Sequence, residues 1–507
     1  MRERVFARAL AVSAVTALGA AGWAAAAHAS AVPVTAKATA GVTATAKVAK
    51  PYDFNGDGYP DVALGSPYGK VGSRSSAGFV TIVYGSKSGP NLNKKQVFSQ
   101  DSAGIPGAAE TGDHFGYSLT SFDYNKDGYA DLLVGAPDED TGAGADAGSE
   151  TIIWGRSSGL SGSGSSAIAE PANTGAGHRF GFSLAAGDFD GDGWTDWADT
   201  SPGDAYFWTF TSRPPNLSAA QRFRPTGRSK PVRGAKRQVG AAAVNSMDAL
   251  IPVVGDVNGD HKTDLILGWR NSRSAAKFQY GFDVWTDIFA DNPVNEALAK
   301  VDGLAAGDFD GDGYADVATG AADDSGRAHS HVTVFKGDAD VSLATAYMIN
   351  QETAGVPGAT AAGDRFGYAL SAGDIGHDGW ADLAVGVPGR TVSGKAQAGE
   401  AILLYGSAAG LSGTGAQAVS QSYPGVAGAA ETADAFGWTV SLLDVTGDGH
   451  ADLIAGAPGE NSHDGAVSVL KGGTGGVTGS GSVSFGAGTA GVTGKGAQLG
   501  GVTGRNG

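Results

Sequence analysis

The chain has 507 residues with 83 glycines, 19 prolines and no cysteine. Disulfides therefore play no part in holding it, and the many turn formers favour short strands over long helices. The net charge of −17 disfavours nucleic acid as a partner.

The N-terminus reads as a secretion signal. Arg2, Arg4 and Arg8 form a basic start, an Ala/Val/Leu run extends from Ala9 to Ala27, and Ala27-His28-Ala29 supplies a small-x-small cleavage site. This pattern predicts a signal peptide over residues 1–29 and a mature chain beginning at Ser30. It also predicts a secreted, extracellular protein without a membrane span. Residues 30–50 are expected to be part linker and part first strand.

From residue 51 a single motif recurs: D-x-D-x-D-G-x-x-D followed by an apolar run. Copies begin at Asp53, Asp123, Asp188, Asp256, Asp308, Asp374 and Asp444, spaced 70, 65, 68, 52, 66 and 70 residues apart. A period of this length suits a four-stranded unit and overrides the two or three domains that length alone would suggest. The second copy shows the plan best. Phe115-Gly116 opens a strand into the acidic loop, Leu132–Val134 runs into Gly135-Ala136-Pro137, and a third run, Thr151–Trp154, ends at Gly155. Matching third runs are Phe79–Tyr84, His331–Phe335, Ala401–Tyr405 and Ala466–Leu470. About four strands per repeat, with no helix to cover them, must bury their faces against one another. A seven-bladed, all-β β-propeller over residues 51–501 does this and leaves only short edges.

In the loop pattern, positions 1, 3 and 5 carry side-chain oxygens, Gly at position 6 (His261 in loop four) permits a left-handed turn, position 7 offers a backbone carbonyl and position 9 supplies a closing acid. The candidate metal ligands are Asp53, Asn55, Asp57, Tyr59 and Asp61 in loop one, and Asp123, Asn125, Asp127, Tyr129 and Asp131 in loop two. Loop three offers Asp188, Asp190, Asp192, Trp194 and Asp196; loop four offers Asp256, Asn258, Asp260, Lys262 and Asp264. Loop five offers Asp308, Asp310, Asp312, Tyr314 and Asp316. Loop six, with Gly376 at position 3, offers Asp374, Asp378, Trp380 and Asp382; loop seven offers Asp444, Thr446, Asp448, His450 and Asp452. An all-oxygen shell with three or four charges suits calcium better than magnesium. The expectation is up to seven structural Ca2+ ions, which would stand in for the missing disulfides. The competing account is that the aspartates only cap turns, but three or four crowded carboxylates without a cation repel one another. The seven loops hold 23 carboxylates, so most of the acidity is local to them.

Phe-Gly, the acidic loop and Gly-Ala-Pro, in that order, resemble the FG-GAP repeats of the integrin alpha-subunit N-terminal domain. The resemblance implies a seven-bladed propeller with calcium in hairpin loops on the face away from the usual ligand surface, and a role in binding or adhesion. The last repeat ends near Gln498-Leu499-Gly500, where the next Phe-Gly would fall, so the two ends of the repeat array should meet beside the first blade.

Other features carry less. Residues 213–237 hold eight Lys/Arg and four Pro and read as a basic insertion between the third and fourth units. Gly155-Arg156-Ser157-Ser158-Gly159 matches a nucleophile elbow, yet equivalent turns at Gly85–Gly89 and Gly406–Gly410 mark it as a repeated turn. His329 and His331 share a strand face without a third ligand. Phe207, Trp208, Phe210, Trp269, Tyr280, Phe282 and Trp285 are expected mostly to pack, with the remainder a candidate ligand patch. The function expected is a monomeric, non-catalytic binding module for an extracellular protein, glycan or cell-wall ligand. An extracellular hydrolase with its site in the propeller channel is the alternative, and a structural matrix component a third reading.

Overall fold

The computed structural model describes residues 48–168, 175–202, 204–208, 231–233, 247–271, 279–286, 294–297, 299–322, 330–492 and 496–504. The proposed signal peptide, residues 30–47 and nearly all of the basic insertion lie outside this set. Among the described residues no helix is long and apolar enough to cross a membrane.

The fold is an all-β propeller with four-stranded blades. The described strands pair antiparallel into seven four-stranded sheets, numbered here in chain order. In sheet two the strands are Ser118–Phe122, Asp131–Ala136, Ser149–Trp154 and Ser161–Ile168. Sheets four to seven repeat that order, opening with Met247–Gly255, Gly303–Gly307, Leu370–Gly373 and Thr439–Leu443. Sheet three runs from Ser183–Gly187 to Pro231–Arg233. Sheet one is different. Val62–Ser66, Phe79–Val83 and Lys95–Phe98 are joined by Val502–Thr503, with Leu64 opposite Thr503 and Gly65 opposite Val502. Residues 48–50 are not in a strand, so the innermost position of sheet one is filled from the far end of the chain.

The second strand of each repeat is buried along its whole length where described, as in Asp131–Ala136, Asp382–Val387 and Asp452–Ala457. Such strands face neighbours on both sides and read as continuous apolar runs. The first strands of successive sheets touch one another in order, and Val502–Thr503 touches both the first strand of sheet seven and that of sheet two. A cavity of about 250 Å3 lies between these first strands, lined by Leu119, Leu184, Val253, Ala305, Ser371 and Val502 among others.

The Phe-Gly and Gly-Ala-Pro motifs meet between sheets. Phe115, Phe180, Phe366 and Phe436 are fully buried, and each of Phe115, Phe180 and Phe436 makes a parallel bridge to a glycine of the preceding repeat: Gly78, Gly148 and Gly399. Leu499 bridges Gly465 in the same way, so Leu499-Gly500 takes the place of a Phe-Gly pair as the repeat spacing anticipates. The Gly of Gly-Ala-Pro is needed because the next repeat's backbone passes against it. A Cβ on Gly386 would stand 2.2 Å from the carbonyl oxygen of Gly437, and one on Gly456 2.0 Å from that of Gly500. Neither backbone segment is free to move away without opening a sheet-to-sheet contact. Gly386→Ala is therefore expected to cost about 2–4 kcal/mol, read as a lower urea midpoint with an unchanged slope.

Candidate metal loops

Each acidic loop joins the first strand of a sheet to the second. Its first aspartate organises the turn through backbone donors. Asp123 Oδ1 accepts from Asp127 N–H at 3.1 Å and Oδ2 from Gly128 N–H at 3.0 Å; Asp308 Oδ1 accepts from Gly311 N–H at 2.7 Å and Oδ2 from Gly313 N–H at 2.9 Å. Position 3 accepts from position 5, as Asn125 Oδ1 does from Asp127 N–H at 2.9 Å. Position 5 accepts from position 7, as Asp127 Oδ1 does from Tyr129 N–H at 3.1 Å. The bonds of positions 1 and 5 recur in every loop and that of position 3 in loops one to four; in loop four His261 stands at position 6 yet adopts φ +65°, and its N–H donates to Asp256 Oδ2. Turn capping and an inward-turned oxygen set coexist, because a carboxylate oxygen keeps a second lone pair after taking one N–H.

Position 9 has a second task that its sequence pattern does not announce. Asp61 accepts from Phe54 N–H at 3.0 Å within its loop and from Gly85 N–H at 2.8 Å at the end of the third strand. Asp131 bridges Tyr124 and Gly155 at 3.0 and 2.8 Å, Asp382 bridges Ile375 and Gly406 at 2.8 Å each, and Asp452 bridges Thr446 and Gly472 at 2.9 Å each. Asp316 joins Phe309 and Gly337 in the same manner. The buried acid thus ties its hairpin to the third strand. Asp196 and Asp264 also accept from position 2, from Phe189 and Val257.

These acids are electrostatically loaded. Burial, with nearby carboxylates adding to it, pushes Asp61 up to about 8. The same causes raise Asp264 and Asp316 to about 7 and Asp382 and Asp452 to about 6. Asp131 is raised well above the ordinary carboxylate range, burial again leading. Desolvation and like charge both favour the neutral acid, and a bound cation would reverse them.

The donor sets fit an oxygen-loving ion. Asp188, Asp190 and Asp196 each offer a carboxylate oxygen within 4.8 Å of the others, as do Asp308, Asp310 and Asp312. Asp310 Oδ1 and Thr446 Oγ1 are buried and accept no hydrogen bond, leaving lone pairs inside loops five and seven. In loop six the Asp378 carboxylate leans into the room left by Gly376, its Oδ2 3.0 Å from where a Cβ would be.

Position 4, absent from the sequence-based ligand set, joins the loops to one another. It is left-handed in all seven: Gly56, Lys126, Gly191, Gly259, Gly311, His377 and Gly447 have φ between 53° and 75°. The position-7 side chain of the following loop lies over it: Tyr129 over Gly56, Lys262 over Gly191, Tyr314 over Gly259, Trp380 over Gly311 and, across the closure, Tyr59 over Gly447. Lys126 Nζ stands 3.9 Å from the Trp194 ring centre, and His377 and His450 face each other at 5.6 Å. Backbone bonds reinforce the chain. Ala130, Thr263, Ala315, Ala381 and Ala451 at position 8 donate to the first carbonyl of the preceding loop. Pro60 has no N–H to give, so the closing pair of loops relies on Tyr59. The recurrent glycine at position 4 was the sequence signal for this contact. Trp380→Ala removes one such link and is expected to cost about 1–2 kcal/mol, measured as a lower melting temperature in chelator and in calcium alike.

The first strands start at the opposite end of each sheet from these loops. There the residue after Phe-Gly is aromatic in four repeats, and Tyr117, Phe182, Tyr368 and Trp438 are half-buried. Tyr117 and Phe182 help line the mouth of the axial cavity. Tyr117 packs on Phe182 at 5.0 Å and Tyr368 on Trp438 at 4.7 Å. The Arg179 guanidinium covers Phe182 and is held by both oxygens of Asp138. Burial pushes Asp138 up, but hydrogen bonds from His114 and Arg179 outweigh it and hold this acid below its ordinary range.

In the aromatic cluster of units three and four, packing takes most of the rings whose side chains are described, as expected. Trp269, Phe282 and Trp285 are at most 6 % exposed, and Trp269 Nε1 donates to Asp283. Large rings between sheets bury more area than any other side chain, and here packing takes them. The side chains of Phe207 and Trp208, with Phe210 and His329, lie outside the described residues. Ser157 sits in a tight turn closed by Gly159 N–H to Arg156 O at 2.8 Å, with strands on either side.

Residues 48–83, 115–149, 301–331, 366–404 and 436–470 match the FG-GAP repeat family. Integrin alpha-8 of Mus musculus is 28 % identical over 223 residues, 43 % of this chain and 20 % of that protein. Integrin alpha-6 of Gallus gallus is 36 % identical over 85 residues, 17 % of this chain and 7 % of its own length. Phosphatidylinositol-glycan-specific phospholipase D of Rattus norvegicus is 32 % identical over 151 residues, 30 % of this chain and 17 % of that enzyme. The chain thus spans a fifth or less of each of these relatives. The unmatched stretch between residues 149 and 301 coincides with sheets three and four, where Gly-Ala-Pro is lost. On its repeats, its topology and these likenesses, the chain is an integrin-alpha-like FG-GAP β-propeller.

Proposed function

We propose that this protein is an extracellular, monomeric, seven-bladed propeller that holds calcium in its acidic loops and uses the opposite face to bind a protein, glycan or cell-wall ligand. The observation that carries the calcium reading is the recurrence of one oxygen cradle in seven loops, each closed by a buried acid that is raised in at least five of them. All the ligands named for loops one to seven, from Asp53 to Asp452, keep that role in this reading, with the side chain of position 7 turned to its neighbour. Calcium would supply binding free energy to the fold and no chemistry to a substrate.

The surface proposed for the partner is the ring of Tyr117, Phe182, Tyr368 and Trp438 with Arg179 and Arg365. Half-buried aromatic rings beside guanidinium groups are the composition of strong binding contacts. A hydrolase working in the channel needs a paired acid and base. Of the described residues lining the axial cavity only Asp302 is a carboxylate, and it faces Lys300 at 3.2 Å. The phospholipase likeness is confined to a small fraction of that enzyme and brings no activity with it.

Capture of extracellular and cell-wall fractions on the immobilised protein tests the reading. Tyr117→Ala combined with Trp438→Ala is expected to lower capture at least tenfold while the calcium-bound melting temperature stays within a few degrees. Undiminished capture would move the binding surface elsewhere, and a hydrolytic activity lost on changing a cavity residue would replace the binding-module reading.

A further inference from the structure

We propose that loop five carries its own cation: the Lys336 ammonium stands among the carboxylates of Asp308–Asp316, so a calcium ion enters this loop only by displacing it. The inference rests on the calcium reading of the loops and departs from it at one of them.

Lys336 closes the third strand of sheet five. Its N–H donates to Thr345 O at 3.0 Å, as Tyr84 N–H donates to Lys94 O in sheet one, so the two residues hold the same place in their repeats. Tyr84 turns away from its loop and accepts from Leu160 N–H of the next sheet at 2.8 Å. In sheet five that bond is made from the neighbouring strand, by Tyr347, whose hydroxyl accepts from Leu411 N–H at 2.9 Å. Lys336 is thereby released from the sheet-to-sheet contact and turns into its own loop, where Nζ bonds Asp310 Oδ2.

The pairing is not a rim contact. The Asp310 side chain is 5 % exposed and that of Lys336 30 %. Among the described residues, the other basic groups paired with loop acids are more exposed: Lys50 is 55 % exposed and 3.8 Å from Asp444, Arg156 is 39 % exposed and 3.5 Å from Asp127, and His261 is 96 % exposed and 3.8 Å from Asp256. Asp310 also distinguishes loop five from three of the other loops. Loops one, two and four place Asn55, Asn125 and Asn258 at position 3. With four carboxylates and one ammonium, loop five has the same net charge as loop one, which holds three carboxylates and no lysine. The lysine and the extra aspartate are matched.

An ammonium group is a three-donor point charge and offers no lone pair to a metal. It competes for the oxygens of Asp308, Asp310 and Asp312 that lie within 4.8 Å of one another. A divalent ion about 4 Å from an undisplaced ammonium is repelled strongly enough to weaken its binding about tenfold or more, even at a surface-like dielectric. Loop three, also with four carboxylates, provides the internal contrast as a loop that should fill.

The test is equilibrium dialysis of the full chain against buffered calcium, with bound calcium counted by elemental analysis. Lys336→Met is expected to bind one more ion per chain than the unaltered protein at the same free calcium. Terbium gives a local readout, because Trp380 lies against Gly311 of this loop. Sensitised terbium emission should rise in Lys336→Met and be lost again in Lys336→Met/Trp380→Phe. Should Lys336→Met fail to fold, Asp310→Asn/Lys336→Met restores the three-carboxylate composition of loop one and should show the same gain. Equal, nonzero calcium in the altered and unaltered proteins overturns the proposal and leaves calcium in the remaining loops. No calcium in either overturns both.

Discussion

Chelation at pH 8 is expected to lower the melting temperature by about 10–20 °C, and the shift should shrink to a few degrees at pH 5. A single site held at a hundred times its dissociation constant contributes about 2.7 kcal/mol, so even four filled loops reach about 10 kcal/mol. In a domain of this size each kcal/mol moves the midpoint by about 2 °C or less. The pH dependence follows from the closing acids. Asp61 is raised to about 8, Asp264 and Asp316 to about 7, and Asp382 and Asp452 to about 6, each from 3.8. Their folded values exceed their unfolded ones, so without a cation the folded protein binds more protons than the unfolded chain. That contribution is complete below about pH 4 and is lost as the pH rises through 6 to 8. Calcium competes with those protons and restores stability over the same window. A chelator that left the midpoint unchanged at pH 8, or shifted it equally at pH 5, would sink the structural-calcium reading.

The parts of this fold written in the sequence are those in which one residue type answers one constraint. Phe-Gly and Gly-Ala-Pro recur because a buried ring and a missing Cβ are each needed where successive sheets touch, and Leu499-Gly500 could be matched to them although the ring is gone. The acidic loops were equally plain, since a repeated D-x-D-x-D-G has few alternative uses. What the pattern hid is that one residue can serve two partners. Asp131 looks like a metal ligand by spacing, and its bond to Gly155 crosses 24 residues of chain, so no local pattern announces it. Lys336 looks like an ordinary strand end, and only the exchange of roles with Tyr347 turns it into loop five. The aromatic run in units three and four was legible only as packing in the main, without saying which rings. Density of rings marks a core as readily as a binding surface, and Trp269 and Trp285 became core once sheets were packed on both sides of them.

The double role of position 9 has a large expected effect that separates scaffold from metal. Asp131→Ala is expected to cost about 3–5 kcal/mol in the presence of chelator, where no ion is left to lose. The side chain is fully buried, and its removal strands the N–H groups of Tyr124 and Gly155 without acceptors. Each stranded donor costs about 1–3 kcal/mol, and the vacated volume adds to that. Asp131→Asn keeps one acceptor but sets an NH2 against the other N–H, so its cost should fall between that of alanine and zero. Asp127 supplies the contrast from the same loop. Its side chain is about a third exposed and takes one backbone N–H, that of Tyr129, beside the exposed Asn125 amide and Arg156 guanidinium, so Asp127→Ala should cost under about 1 kcal/mol in chelator. In calcium Asp127→Ala should forfeit most of one site's stabilisation, about 2–3 kcal/mol, because a position-5 oxygen has been removed from the shell. Urea unfolding of the three variants in calcium and in chelator reads all of this. A cost for Asp131→Ala that vanished in chelator would make position 9 a metal ligand only. A cost for Asp127→Ala identical in both conditions would make position 5 a turn cap only, and the loops would then hold the propeller by hydrogen bonds without an ion.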